Sequence, residues 1–309
     1  MRGRLHPALA ESTHRPVEGA TQAPAFRLRR IRRESSSMRM AFLLQKSDLD
    51  DPILAEVMAD LKTRGVRVDR LLPETEWFDL SNLRPAYDLY VIRSKTPLIL
   101  SLAGALALGG AKIVNTVRSC RLARDRVAAT PLLAASGVPV PPSWATGRPG
   151  LLHPLLDEAP LWIKPPQGSR GEGVRRLNDL SALNSHEGPT DPYGLPLPIF
   201  AQREVPSDGF DLKVYIVGEV AWAIRRPFPA RTLEEKRGKP VDLSSEVRAA
   251  AFACGRALGL ELYGVDFLTA GDRFYAVDVN AFPGYKGVAE APSNLAAYLY
   301  ERTLSGGKP

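Results

Sequence analysis

From residue 39 onward, short apolar runs alternate with amphipathic ones in the rhythm of strands and helices. Residues 39–44 read as a first strand. Asp51 then stands as an N-cap with Pro52 at the first helical position. Ile53, Leu54, Val57, Met58 and Leu61 share one helical face, and Gly65 closes it. Residues 66–72 and 88–93 follow as strands, 97–108 as a helix, and 112–115 as a fourth strand. This order predicts a small parallel sheet with right-handed crossovers. No GxGxxG follows its first strand, so a dinucleotide site has no support.

The second half changes character. Residues 119–129 and 130–136 form one interrupted helix or two successive ones, closed by Gly137, and the Pro-rich run 138–142 is an extended linker. A strand over 160–164 ends on Lys164, and the run 165–174 after it holds Gly168, Gly171 and Gly173. Residues 184–198 are a loop rich in Pro and Gly, in which His186 is a solvated side chain. Residues 199–205 read as a strand, residues 209–213 begin the strand 214–217, and Gly218-Glu219 turns it back into 220–225. A basic loop over 227–240 leads to Ser244, which caps a helix over 245–258. Its apolar side is Val247, Ala250, Ala251, Cys254 and Leu258, and Gly259 ends it. A hairpin over 264–284 and a helix over 294–303 complete the chain.

That hairpin carries the chemistry. Gly-Val-Asp-Phe-Leu (264–268) and Tyr-Ala-Val-Asp-Val-Asn-Ala-Phe-Pro-Gly (275–284) are both apolar enough to be strands. Alternation sends Asp278 and Asn280 to one face, and a turn centred near Asp272 sets Asp266 opposite Asp278. Two carboxylates and an amide oxygen on a rigid sheet suit a hard cation such as Mg²⁺, which fills its other positions with phosphate and water. The glycine-spaced loop is able to bring backbone N–H groups against a phosphate, with Lys164 entering as a point charge. Arg93 and Lys95 lie just past the third strand, at the carboxyl edge where such sheets bind ligands. They either pair with an anionic acceptor or are solvated loop charges, and Lys46 after the first strand is a weaker version of the same idea.

Composition narrows the class. The 309 residues hold 44% hydrophobic and 24% charged side chains, as a globular protein does, and no apolar run reaches membrane-spanning length. A cytoplasmic location is expected. Cys120 and Cys254 have no CxxC or His neighbour and read as small buried hydrophobes rather than a disulfide framework. Residues 1–37 carry eight Arg and three Glu, so five of the seven net positive charges lie there and a nucleic-acid role for the rest is disfavoured. This stretch reads as a disordered basic tail, or as sequence upstream of a working start at Met38 or Met40.

The motifs Gly-Val-Asp-Phe-Leu and Val-Asp-Val-Asn-Ala-Phe-Pro-Gly resemble the metal-binding end of the ATP-grasp superfamily. They are most similar to the ribosomal-S6-modification type of glutamate ligase and to the inositol-trisphosphate 5/6-kinases. The resemblance covers roughly residues 40–300 and implies an α/β (α+β) protein. A parallel-sheet domain over 38–117 would precede a two-part nucleotide clamp over 118–305, divided near residue 200. It implies ATP and Mg²⁺ as cofactors, with Mn²⁺ a possible substitute, and Asp266, Asp278 and Asn280 as the metal ligands. Arg126 stands where these families usually carry a phosphate-touching lysine. Lys164 and the loop glycines Gly168, Gly171 and Gly173, with Ser169, would hold the phosphates. Gln202, Arg203, Glu204 and Val205 match the adenine-binding hinge, and Asp211 matches an ATP-contacting acid. Lys213 matches an Arg of the ligases and a Lys of the kinases. Arg225 is assigned to charge on the transferring phosphoryl, and Arg93 to the acceptor.

Three functions fit these residues. In the first and favoured one, a carboxylate takes the γ-phosphoryl of ATP and an amine captures the acyl phosphate. In the second, the acceptor is a hydroxyl of an inositol-phosphate-like molecule; Asp278, Lys213 and the Asn-Ala-Phe-Pro-Gly-Tyr run favour it. The third is an ATP-binding protein without catalysis. The acceptor, the amine and the oligomeric state are not legible in the sequence.

Overall fold

The computed structural model describes residues 37–168, 173–178 and 197–305; the expected tail, Ser169, Gly171 and His186 lie outside them. Three sheets organise the chain. The first is built from β1 (Arg39–Leu43), α1 (Pro52–Thr63), β2 (Arg67–Leu71), β3 (Leu89–Ile92), α2 (Pro97–Leu108) and β4 (Ile113–Val114). Its strands run parallel in the order β2-β1-β3-β4, as the alternation of strands and helices predicts. Asp51 caps α1 by accepting from the N–H groups of Ile53 and Leu54.

α3 (Val117–Arg124) and α4 (Arg126–Ala135) are two helices, broken at Asp125 and not at Pro131. Asp125 leaves helical geometry to accept from the N–H groups of Val127 and Ala128, and this cap outweighs the proline, which α4 keeps inside. Next come β5 (Ser143–Thr146), the short α5 (His153–Leu156), β6 (Leu161–Lys164), β7 (Arg175–Leu177) and β8 (Ile199–Arg203). These strands form an antiparallel sheet in the order β5-β8-β6-β7. Leu152, Leu156, Leu161, Ile163, Leu177, Ile199 and Ala201 pack its outer side.

The largest sheet is β11-β10-β9-β12-β13. It comprises β9 (Phe210–Val217), β10 (Val220–Pro227), β11 (Lys239–Val241), β12 (Leu262–Ala270) and β13 (Arg273–Ala281), with α6 (Leu233–Arg237) between β10 and β11. One face carries Val214, Ile216, Val265, Phe267 and Val279 into a core shared with α7 (Ser245–Leu258), which holds Val247, Ala251 and Cys254. The opposite face is divided. At one end Tyr215, Val217, Ile224 and Leu262 are buried with Phe282, Tyr285, α1 and α8 (Ala291–Leu304). At the other end the same face is charged, and there the candidate site lies. Both cysteines are buried and unpaired, and burial pushes their thiols up, Cys120 to about 11. Among the described residues, no helix is long and apolar enough to cross a membrane.

Candidate active site

β12 and β13 turn at Gly271, whose positive φ of 59° suits glycine. Ala270 pairs with Arg273, and regular pairing continues to Phe267 with Ala276. The register then shifts: Asp266 pairs with Asp278, leaving Val277 as the extra residue of a bulge. Asn280 stands across from Gly264. Its amide nitrogen lies 3.1 Å from Asp278 Oδ2 and 3.4 Å from Asp266 Oδ2, so the three polar groups meet on one face. Turning the amide over would set its oxygen in the nitrogen's place. Two carboxylates and an amide oxygen are a donor set that would suit Mg²⁺. No group of three His, Cys, Asp or Glu side chains that could hold a metal is gathered among the described residues, so these side chains alone do not make a closed cage.

Four cations surround this face. Lys213 Nζ lies 2.7 Å from Asp266 Oδ1, and Arg226 Nη2 lies 3.0 Å from the same oxygen. Arg226 also holds Asp211 in a two-pronged bond of 2.7 and 2.9 Å. Burial raises the pKa of Asp211 against the pull of this guanidinium. Arg126 Nη2 reaches Asp278 Oδ1 at 3.3 Å, while its Nη1 donates to Pro165 O at 2.8 Å. Its backbone N–H donates to Pro166 O, so Arg126 ties the start of the glycine loop to the carboxylate face. Lys164 donates to Gln202 Oε1 at 2.7 Å and to Val277 O, the carbonyl of the bulge, at 3.4 Å. Burial lowers its pKa to about 8, against the nearby charge of Asp278.

The glycine loop is described at its two ends. Gly168 lies beside Arg126, where a Cβ would come 3.5 Å from Nη1. Gly173 has φ +71°, and a Cβ there would lie 2.8 Å from Pro165 Cγ. The Gly173 end therefore closes tightly on Pro165, while Gly168 is in ordinary contact with Arg126 and Pro165. Beyond β8 a cavity of about 390 Å³ opens, lined by Glu204, Val205, Pro206, Tyr275, Arg273 and the linker prolines among others. Gln202 points to Lys164 and Ser143. Arg203 turns away to the carbonyls of Leu155 and Ala159, and Glu204 is held by Arg176. Of the residues expected at an adenine hinge, Arg203, Glu204 and Val205 line the cavity, and the Arg203 guanidinium is engaged by the carbonyls of Leu155 and Ala159.

Two expectations are corrected. Arg225 is not beside the carboxylates: it is 46% exposed, pairs with Asp208 and lies over the Phe210 ring. Strand alternation gives the site to Arg226, which stands across from Asp211. The signal was present, because a two-residue turn at Gly218-Glu219 pairs Val217 with Val220 and, counting outward, Asp211 with Arg226. Arg93 is not a loose cation at a sheet edge. It is held by Asp51 at 2.8 Å and Asp48 at 3.8 Å, and it faces the Phe282 ring and carbonyl. Lys95 likewise bonds to the carbonyls of Ala281 and Phe282. Lys46 is exposed.

Comparison with solved structures matches this architecture. A RimK domain ATP-grasp protein from Sphaerobacter thermophilus aligns with a TM-score of 0.68 at 18% identity, covering 86% of this chain and all of the other. The chain has the ATP-grasp fold. The ATP-grasp ligase PsnB, solved with a phosphomimetic variant of its minimal precursor, Mg and ADP, aligns with a TM-score of 0.62 at 17% identity, over 87% of this chain and 100% of that one. The family model of the inositol 1,3,4-trisphosphate 5/6-kinase ATP-grasp domain matches residues 242–301, which span α7, the β12–β13 hairpin and most of α8. A probable alpha-L-glutamate ligase from Shewanella loihica is 26% identical over 245 residues, 74% of this chain and 80% of that protein. The resemblance read from the motifs is thus met by fold, by relatives and by the family model.

Proposed function

We propose that this chain is an ATP- and Mg²⁺-dependent ligase that joins a carboxylate to an amine and releases ADP and phosphate. The observation that carries the reading is the meeting of Asp266, Asp278 and Asn280 on one face, ringed by Lys164, Arg126, Lys213 and Arg226. Such a ring of oxygen ligands and cations suits a triphosphate whose terminal group is transferred. Likeness to the glutamate ligases and to PsnB supports the amide-forming class. The kinase-family match falls on the hairpin that would serve ATP in either class, so it does not choose the acceptor.

In this reading the adenine lies by Glu204 and Val205, and the phosphates run toward Lys164, Arg126, Gly168 and Gly173; Ser169 and Gly171, outside the described residues, are further phosphate-binding candidates. Asp266, Asp278 and Asn280 hold Mg²⁺, which when bound neutralises charge on the phosphate oxygens; Mn²⁺ is a chemically acceptable substitute. A carboxylate oxygen of the substrate attacks the γ-phosphorus, and the bond to the β–γ bridging oxygen breaks to release ADP. The amine nitrogen then attacks the acyl carbon, phosphate leaves with the electrons of the C–O bond, and the nitrogen loses its proton. Lys213 and Arg226, both beside Asp266, are assigned in this reading to charge on the transferred phosphoryl, and Arg226 keeps Asp211 in place. The carboxylate substrate is a small molecule or a peptide.

The test is turnover of ATP in metabolite and peptide extracts, followed by mass spectrometry. A product carrying a new amide-linked moiety, formed only with ATP, supports the ligase. A product carrying a new phosphoryl group on a hydroxyl overturns it in favour of the kinase. ADP formation without any acceptor dependence overturns both.

A further inference from the structure

The run after Asn280 is strained. Phe282 has φ +37° although it precedes a proline, and Tyr285 has φ +45°. Neither residue is glycine, and the left-handed region is unfavourable for a residue with a side chain. Surrounding contacts must therefore over-determine this turn. Tyr285 is buried with its hydroxyl on Ile216 O at 2.9 Å, and the Phe282 N–H donates to Leu262 O at 2.7 Å. These bonds hold the turn from the side of the large sheet.

The other side is held by the parallel sheet, from about 190 residues away in sequence. Lys95 Nζ donates to Ala281 O at 2.6 Å and lies 3.5 Å from Phe282 O. Arg93 Nη1 reaches the same Phe282 carbonyl at 3.4 Å, and its guanidinium lies 5.6 Å from the Phe282 ring centre. Arg93 is itself fixed by Asp51, the N-cap of α1, and the main chain of Lys95 is fixed by a bond from Arg124 to its carbonyl. Lys95 makes no ion pair among the described residues. Burial draws its pKa down to about 8. An ammonium spent on two carbonyls, at a desolvation cost, has a purpose in what those carbonyls belong to. Ala281 is the residue directly after Asn280, and its peptide plane sets the end of the strand that aims the Asn280 amide at Asp278 and Asp266.

We propose that Lys95, braced by Arg93, is a positioning residue for the metal face: it holds the Ala281–Phe282 peptide so that Asn280 stands beside Asp266 and Asp278. The role rests on the proposed use of those three residues as Mg²⁺ ligands, and only on that part of the proposed function. It assigns the carboxyl edge of the parallel sheet to the metal loop, in place of an anionic acceptor. Groups that orient metal ligands typically change metal affinity by about 10- to 100-fold when removed.

The experiment is calorimetric titration of the full chain with ADP, with and without Mg²⁺, on wild type, Lys95→Met, Lys95→Gln and Arg93→Met. Wild type binds ADP more tightly with Mg²⁺. In Lys95→Met the Mg²⁺-dependent tightening falls by about tenfold while Mg²⁺-free ADP binding is unchanged, and Lys95→Gln, which keeps an N–H donor, recovers part of it. Arg93→Met lowers the same difference in the same direction. A purely structural role would weaken ADP binding equally with and without Mg²⁺, and that result overturns the proposal. Equal tightening in wild type and Lys95→Met overturns it as well. Absence of any Mg²⁺ effect in wild type would instead bring down the metal reading itself. If Lys95→Met does not fold, the comparison of Lys95→Gln and Arg93→Met with wild type decides by the same criterion.

Discussion

Asp266 stands directly across from Asp278 because Val277 is an extra residue in its strand. The hairpin turns at Gly271 and Asp272, and unbroken pairing from that turn would set Asp266 opposite Val277. Asp278 and Asn280 would then point into the core under α7, since a one-residue slip reverses every side chain. The bulge at Val277 returns both to the charged face and offers its own carbonyl to Lys164.

Asp278→Asn removes one ligand charge while keeping shape. We expect Mg²⁺·ADP affinity to fall at least about tenfold, equivalent to about 1.4 kcal/mol, with Mg²⁺-free ADP binding retained. Calorimetric titration of both forms checks it. Unchanged Mg²⁺ dependence would leave the hairpin without a metal role.

Lys164→Met tests the phosphate contact and the cost of burying that ammonium. Nucleotide affinity should fall about tenfold or more, measured by titration with ADP. Stability should move the other way. The folded pKa of about 8 lies below the ordinary 10.5, so the folded state binds fewer protons between those values. Stability from this group therefore rises with pH across that window. Denaturant unfolding should show the methionine variant ahead of wild type below pH 8, with the gap closing toward pH 10.5.

Arg225 and Arg226 are adjacent and should behave differently. Arg225→Gln breaks an exposed pair with Asp208 and should change stability by less than about 1 kcal/mol. Arg226→Gln leaves the 3% exposed Asp211 side chain without its partner and should destabilise by about 3 kcal/mol. The double variant Asp211→Asn/Arg226→Gln should recover part of that loss in urea unfolding. Equal effects of the two single variants would contradict the strand facing described above.

Gly173→Ala places a Cβ 2.8 Å from Pro165 Cγ in a left-handed backbone. The start of the glycine loop must then shift, and we expect ADP affinity to drop several-fold, about 1 kcal/mol, with the melting temperature lowered by a few degrees at most. Wild-type affinity in this variant would show that the loop's end does not shape the phosphate site.

Much of this protein is determined locally and was legible without coordinates. Asp51 before Pro52 and Ser244 before the apolar stripe of residues 247–258 act through neighbours in sequence. Caps, periodicity and turns are short-range physics, so the order of strands and helices follows from them. What required the tertiary structure is set by parity and by distant contact. One extra residue at Val277 decides which face Asp278 takes, and one position on β10 decides between Arg225 and Arg226. The fate of Arg93 and Lys95 was hidden for another reason. A cation at a sheet edge has the same local sequence whether it meets solvent, substrate or a carbonyl. Only the packing of the parallel sheet against the Phe282 turn selects the carbonyl, because that contact joins segments almost two hundred residues apart.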